Sequence, residues 1–225
     1  VMNRSRDKVR CALNHQNAGS IPVDFGSTAV TGIHCRIVEA LRNYYGLAPR
    51  PVKIVDAFQM LGEIDAELAE KIGVDCIGID GPKDIFDLDT TRMHEQTTPW
   101  GQRVLVPEAM DLTPDMRGDV YVYAGGDQNY PPSAVMPKGC YFINAIERQQ
   151  PIEEDRLDPE DNVEEFGLLT ENDLAYYCAE ADKAYQTGRA VVASFGGTAL
   201  GDVAFVPGMG LKQPKGIRSV VEWYM

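Results

Sequence analysis

A short apolar segment runs directly into two glycines in the last part of the chain. Residues 189–202 read RAVVASFGGTALGD, in which the apolar run 190–193 is followed by Ser194, Phe195 and Gly197. An apolar run without alternation is typical of a strand buried on both faces. Ligands of α/β proteins usually bind where such strands end. The segment therefore predicts a buried strand that ends at a binding site, although an ordinary strand-to-helix turn has the same composition.

Two upstream segments have a similar form. Residues 21–25 lead into Ser27, and residues 76–79 lead into Asp80. Apolar residues at helical spacing predict helices at 4–15, 33–45, 56–73 and 216–225. A capping-box-like pattern of Thr170 and Asp173 predicts a helix over 170–187, and a further helix is expected at 198–205. This alternation of helices and strands predicts an α/β protein with parallel strands.

Residues 86–149 interrupt the alternation. A hairpin is predicted around the Pro-Trp-Gly turn at 99–101, and the sequence DVYVY at 119–123 predicts a strand with a partner. The whole stretch is therefore interpreted as an antiparallel β excursion inserted after the second core strand.

Composition excludes several classes of partner. The 225 residues carry a net charge of −13, which argues against nucleic acid or an anionic membrane as a partner. The five cysteines show no paired spacing, and no apolar segment is long enough to span a bilayer. We therefore expect a cytoplasmic protein.

Several segments, in order along the chain, resemble one family. The opening RSRDKVRCALNHQ, the following IPVDFGS, and TALGD after SFGG are similar to the uroporphyrinogen decarboxylase superfamily. The segments TTPWGQRVLVP, GDVYVY and MPKGCYFINAIERQ are similar to its methyltransferase-like branch, which resembles corrinoid-dependent methyltransferases. The resemblance spans nearly all of this chain but covers only the N-terminal portion of a typical family member.

The resemblance implies a (β/α)8 TIM barrel, with residues 1–225 as a single, incomplete barrel domain. Core strands are expected to end near Phe25, Ile79 and Ser194. A barrel that lacks its later strands exposes sheet edges and apolar faces. The resemblance therefore implies a fragment, and either a homo-oligomer or a partner that covers the open barrel.

The implied function is the N-terminal part of a cobalamin-dependent methyltransferase. Such an enzyme moves a methyl group between a small methylated compound, or a methyl-corrinoid protein, and an acceptor. Zinc and a corrinoid are expected for the full-length family member, whose zinc ligands lie in the second half of the barrel. No cofactor is therefore expected within this chain. The adjacent His34 and Cys35 would point about 100° apart on a helix, which does not suit joint metal binding.

Two alternative functions stay open. The first is uroporphyrinogen decarboxylation, which the resemblance links to arginines after the first strand. Ser27 and Thr31 stand where those arginines are expected, and neither can form a bidentate contact with a carboxylate. The second is a half-barrel interaction protein without catalytic activity, so that whether this chain is itself an enzyme is left open.

The predicted substrate-binding residues lie at the ends of the predicted strands, and no catalytic residue is assigned. The two carboxylates among them could bind a substrate cation, orient a ligand or act as a general base. Alternatively, each could cap a helix or form a salt bridge. The predicted site comprises Asp24, Ser27, Asp80, Ser194, Phe195 and Gly197.

Overall fold

The computed structural model describes residues 5–195 and 205–225, which divide into two compact units. Unit 1 contains residues 5–55, 61–82 and 169–195, and unit 2 contains the remaining described residues. The helices are α1 (Ser5–Leu13), α2 (Cys35–Tyr44), α3 (Ala66–Ile72), α4 (Glu171–Gln186) and α5 (Val220–Tyr224). The strands are β1 (Val52–Asp56), β2 (Leu61–Gly62), β3 (Cys76–Ile79), β4 (Met93–Thr97), β5 (Arg103–Pro107), β6 (Val120–Val122), β7 (Ala134–Met136), β8 (Asn144–Ala145) and β9 (Ala190–Ala193).

The predicted (β/α)8 barrel, complete or incomplete, is wrong. A barrel requires parallel strands that close into one sheet. The strands of the described residues instead form sheets of four, two and three strands. β3 pairs with β9 in parallel, whereas β4 pairs with β5, and β7 with both β6 and β8, in antiparallel fashion. The fold is therefore a mixture of helices and small sheets.

The predicted first strand, residues 21–25, is an irregular segment. Its contacts explain why it does not join a sheet. The Val23 N–H donates to the side-chain Oδ2 of Asp75 at 2.8 Å, so a carboxylate takes the place of a neighbouring strand's carbonyl. Pro22 has no N–H to donate, and Ile21 is largely exposed.

The predicted helix over 56–73 is also wrong in its first half. Asp56 ends β1 and accepts the Gln59 N–H at 2.8 Å, which closes a turn. The helix that follows, α3, begins instead at Ala66, and the carboxylate of its N-cap Asp65 accepts the N–H groups of Glu67 and Leu68.

One part of the hydrophobic core of unit 1 lies between α4 and the parallel strands β3 and β9. Tyr177 and Ala184, seven residues apart on one face of α4, pack with Ile79 of β3. Thr170 and Asp173 form a capping box at the start of α4, which confirms the predicted beginning of this helix. The predicted strand 190–193 is also confirmed as β9.

A buried cation organises another part of unit 1. The guanidinium of Arg42 on α2 bonds to the carboxylate of Asp65, and also to Glu67 at 2.9 Å and to the Ala48 carbonyl at 2.8 Å. Arg50 reaches the same Asp65 carboxylate at 2.8 Å. Arg42 and Asp65 are both buried, so their charges are compensated by each other and by the more exposed Glu67 and Arg50.

Unit 2 is built on antiparallel strands with alternating burial. Val104 and Val106 of β5 face the interior, as do Val120 and Val122 of β6. The predicted hairpin around the Pro-Trp-Gly turn is confirmed as β4 and β5, and the predicted partnered strand is confirmed as β6. Across the described ranges, no helix has the length and apolarity needed to cross a membrane.

The buried ion cluster predicts a large loss of stability when Arg42 is removed. Arg42→Ala leaves Asp65 buried with only Arg50 as a cationic partner, and we expect the free energy of unfolding to fall by about 3 kcal/mol. Urea unfolding followed by circular dichroism measures this loss. Arg10→Ala is the control, because Arg10 is exposed and pairs with Asp7 at the surface, and we expect its effect to be close to zero. Equal losses in the two variants would contradict the importance of the buried cluster.

Candidate functional site

The carboxyl ends of β3 and β9 lie side by side in unit 1. The register pairs Ile79 with Ala193, and the Ser194 N–H donates to the Ile79 carbonyl at 2.9 Å. The next residue after β3 is Asp80, and Phe195 follows Ser194. The parallel pairing thus brings three predicted site residues to one edge, which we call the strand-end site. This is the position at which α/β proteins usually bind ligands.

A second pair of predicted residues adjoins the same strand. The Ser27 hydroxyl donates to Asp24 Oδ2 at 2.8 Å, and Thr31 Oγ1 lies 3.4 Å from Asp24 Oδ1. The backbone of Ser27 presses against Gly78 of β3, where a Cβ atom would lie 1.7 Å from the Ser27 carbonyl oxygen. Only glycine permits this approach. Gly78 precedes Asp80 by two residues, about 7 Å along an extended strand.

Tyr177 supports the strand-end site from α4. Its hydroxyl donates to the Ser194 carbonyl at 2.9 Å, and its ring centroid lies 4.9 Å from that of Phe195. Tyr177 is 7% exposed, whereas Phe195 is 59% exposed. A buried ring therefore holds an exposed one in a defined position.

Negative charge lies close to these residues. Burial raises the pKa of Tyr177, and the carboxylates of Asp80 and Asp173 raise it further. Burial also raises the pKa of the Cys76 thiol, and Asp24 adds to that increase. Because exposed charges act only over short distances in salt solution, these effects place both predicted carboxylates near β3.

The outcome for the six predicted residues is mixed. Asp24 and Ser27 contact each other, and Ser194 and Phe195 both contact the side chain of Tyr177. The sixth residue, Gly197, lies outside the described residues. Tyr177 was not predicted as part of the site. Its seven-residue spacing from Ala184 is the signal that could have placed Tyr177 on the buried face of α4, but no sequence pattern marks its hydrogen bond to Ser194.

Zinc does not fit His34 and Cys35. His34 Nδ1 accepts the Arg36 N–H at 3.2 Å as the N-cap of α2. Burial raises the pKa of the Cys35 thiol to about 12, which keeps it protonated, whereas a zinc ligand must be a thiolate. No group of three His, Cys, Asp or Glu side chains suited to a metal occurs within 5–195 and 205–225.

A second titratable group of interest lies in unit 2. Burial raises the pKa of Asp84 to about 6, against the opposing hydrogen bonds from the Leu88 and Phe86 N–H groups, and Asp56 adds to the increase. In the described part of the chain, Asp84 Oδ2 is buried and has no hydrogen-bond partner. This carboxyl group can therefore hold a proton close to neutral pH, a property common at functional sites.

Unit 2 also contains a groove of about 570 Å³ that the sequence did not predict. Four basic side chains line it, but each already has a partner. Arg148 donates to the carbonyls of Gly208 and Leu211, and Arg156 pairs with Glu153. The two lysines, Lys212 and Lys215, pair with Asp127 and Asp161. Arg156 and the two lysines are therefore paired with carboxylates, whereas the Arg148 guanidinium bonds to main-chain carbonyls, and its buried Nε has no hydrogen-bond partner among the described residues.

The comparisons with known proteins give no role to the strand-end site. Comparisons with models of protein families, with curated proteins and with solved structures found no match. The resemblance to the uroporphyrinogen decarboxylase superfamily therefore stays a prediction. What this edge can do chemically follows from the side chains at the strand-end site and beside it. These are the carboxylates of Asp24 and Asp80, the buried hydroxyl of Ser27 and the exposed ring of Phe195.

The contact between Ser27 and β3 predicts strong sensitivity at Gly78. In Gly78→Ala the new methyl group would overlap the Ser27 carbonyl, so the segment that carries Asp24 must move away from β3. We expect the free energy of unfolding to fall by about 3 kcal/mol, the upper range for an overpacked position. Gly167→Ala is the control, because Gly167 has open space and no left-handed backbone. Denaturant unfolding of both variants checks this, and an unchanged Gly78→Ala stability would contradict the contact.

The raised pKa of Asp84 predicts that the protein becomes less stable as the pH rises from 4 to 7. A carboxyl group whose pKa is raised in the folded state stabilises the fold when protonated, so its contribution is present below its ordinary value of 3.8 and is lost as the pH rises through about 6. We expect the free energy of unfolding to fall by about 2 kcal/mol between pH 4 and pH 7 through this group. Asp84→Asn should abolish that fall, because the amide stays neutral.

Asp89→Asn provides the matched control for Asp84. Asp89 lies in the same segment but is exposed, and its hydrogen bonds with Thr91 lower its pKa. Its titration therefore lies below the window of interest, and the variant should keep the wild-type fall. Thermal melts at a series of pH values measure the pH dependence of stability in both variants. A fall in stability between pH 4 and pH 7 that persists in Asp84→Asn would refute the raised pKa of Asp84.

Proposed function

We propose that this chain takes part in corrinoid-dependent methyl transfer and that the strand-end site binds the transferred methyl group and its small carrier. The observation that carries the proposal is the meeting of Asp80, Ser194 and Phe195 at the adjoining ends of β3 and β9. The order of sequence segments similar to the methyltransferase-like branch supports the same function.

The residues at this edge suit a small methylated compound. The exposed ring of Phe195 offers an apolar surface, and burying one methyl group contributes about 0.8 kcal/mol. Its position is fixed by Tyr177 beneath it. The Asp24 carboxylate is oriented by the Ser27 hydroxyl and can fix the polar end of a ligand. A methyl group and a polar anchor can therefore be held close to the same strand.

The alternative of uroporphyrinogen decarboxylation is less well supported. That substrate carries many carboxylates and needs cationic partners. Ser27 is 3% exposed and uses its hydroxyl on Asp24, and Thr31 lies within 3.4 Å of the same carboxylate. Asp24 and Asp80 would repel an anionic ligand at this edge. The charges favour methyl transfer over decarboxylation of a tetrapyrrole.

The proposal includes a cytoplasmic location and a methyl-corrinoid protein as partner. All five cysteines are free thiols, which suits a reducing compartment. The corrinoid belongs to the partner and is treated as a substrate that delivers or receives the methyl group. Because His34 and Cys35 do not fit zinc, activation of an acceptor thiol is not assigned to this chain.

Binding of methylcobalamin to the purified chain tests the proposal. We expect saturable binding, followed by absorbance, and about fourfold tighter binding of methylcobalamin than of hydroxocobalamin, because one methyl group contacts the Phe195 ring. Phe195→Ala should remove this preference. Tyr44→Ala is the matched control, because Tyr44 is an exposed aromatic residue of unit 1 on α2. Equal affinity for the two cobalamins, or no binding, would contradict the proposal and favour a non-catalytic interaction protein.

A further inference from the structure

The guanidinium of Arg148 lies in the groove of unit 2 and has no carboxylate partner among the described residues. Its terminal nitrogens donate to the carbonyls of Leu211 at 2.7 Å, Gly208 at 2.8 Å and Lys212 at 3.4 Å. A guanidinium carries more N–H donors than these carbonyls accept, and the buried Nε–H has no partner within the described ranges. The carbonyls supply dipoles, but they do not balance the positive charge.

The surroundings of this guanidinium are positive rather than negative. Burial lowers the pKa of Arg148, and the charge of Arg218 lowers it further. Arg218 has carboxylates of its own, Glu165 at 2.9 Å and Glu164 at 3.4 Å. A partly buried cation without a counter-charge is unfavourable, and an anion that enters the groove would supply that counter-charge.

Three carboxylates also line the groove, and they limit the charge that a ligand can carry. Glu153 and Asp161 pair with basic side chains of the groove, and Asp158 accepts the Glu160 N–H at 3.0 Å. Because like charges repel, a phosphate dianion or a polyanion is disfavoured beside them. A single negative charge placed against Arg148 gains more from that cation than it loses to carboxylates that already have partners.

Apolar side chains form much of the rest of the groove. Ile152 and Leu157 are exposed there, and Pro131, Pro151 and Pro214 also line it. The volume of about 570 Å³ falls within the range of small-molecule sites. An organic ligand can bury an apolar body against these side chains, whereas an inorganic ion cannot.

We propose that the groove of unit 2 binds a monocarboxylate with an apolar body, and that the carboxylate pairs with the guanidinium of Arg148. The planar guanidinium matches the two oxygens of a carboxylate, and the apolar body lies against Ile152 and Leu157. Every residue of the groove belongs to unit 2, whereas the strand-end site lies in unit 1. The proposal therefore goes beyond the proposed function and does not depend on it.

Titration of the full chain with benzoate, benzamide and inorganic phosphate tests the proposal. Benzamide has the shape of benzoate without its charge, and phosphate has negative charge without an apolar body. The NMR signal of the Arg148 Nε–H reports binding, and Arg148→Lys assigns this signal by removing it. We expect benzoate to shift the signal saturably at millimolar concentration and to bind about tenfold more tightly than either other compound. Equal or tighter binding of benzamide or phosphate, or an Arg148 signal that does not shift, overturns the proposal.

A carboxylate added to the wall of the groove tests the position of the ligand without altering the hydrogen bonds of Arg148. In Ile152→Asp the new charge repels the bound carboxylate, and we expect benzoate affinity to fall about fivefold. Met116→Asp is the matched control, because Met116 is an exposed apolar residue of unit 2 outside the groove. Its benzoate affinity should be unchanged. Equal affinities in the two variants contradict binding in the groove.

Removal of the cation separates a binding role of Arg148 from a purely structural one. We expect Arg148→Gln to bind benzoate and benzamide equally, because the preference arises from the positive charge. Arg117→Gln should keep the preference, since Arg117 is an exposed arginine of unit 2 outside the groove. A preference for benzoate that persists in folded Arg148→Gln overturns the proposal. Thermal melts establish folding, and if Arg148→Gln is unfolded, the comparison of Ile152→Asp with Met116→Asp decides.

Discussion

The parallel pairing of β3 with β9 is the interaction on which the candidate site depends. It joins segments more than a hundred residues apart in sequence and sets Ile79 opposite Ala193. A two-stranded parallel sheet has little stability of its own and must be covered. α4 supplies the cover through Tyr177 and Ala184, and the same Tyr177 bonds to the Ser194 carbonyl. The packing that stabilises the pair therefore also fixes the end of β9.

The chemistry of the site follows from how close a loop comes to β3. Gly78 lets the backbone of Ser27 approach to a distance that any side chain would prevent. The hydroxyl of Ser27 then faces Asp24 rather than solvent, and the resulting bond orients the carboxylate. The Asp24 carboxylate is thus held beside β3, and the Phe195 ring is held at the end of β9. A carboxylate fixed at this position disfavours the polyanion that decarboxylation would require.

Elements with strong local patterns could be predicted from the sequence. β9 and α4 were predicted because an unbroken apolar run and a capping box are encoded within a few residues. The segment 56–73 was misassigned because Phe58, Leu61 and Leu68 mimic helical spacing, although the chain turns at Asp56 and α3 begins only after Asp65. A side chain that closes a turn competes with helix formation, and apolar spacing does not reveal it.

The barrel and the contacts of the site could not be predicted for the same reason. Both depend on contacts between residues that are far apart in the sequence. Residues 21–25 have a strand-like composition, but the carboxylate of Asp75 takes the N–H of Val23 and also accepts the ammonium group of Lys8 at 2.6 Å. That carboxylate is buried, so it must be satisfied by fixed donors, and the irregular segment supplies one. Asp80, Ser194 and Phe195 could be placed at strand ends because β3 and β9 are visible in the sequence, whereas Asp24 and Ser27 were predicted at the end of a strand that does not form. The contacts that hold Asp24 beside β3 and Phe195 against α4 could not be predicted, because they depend on Gly78 and Tyr177, whose roles arise only when β3 and α4 pack in unit 1.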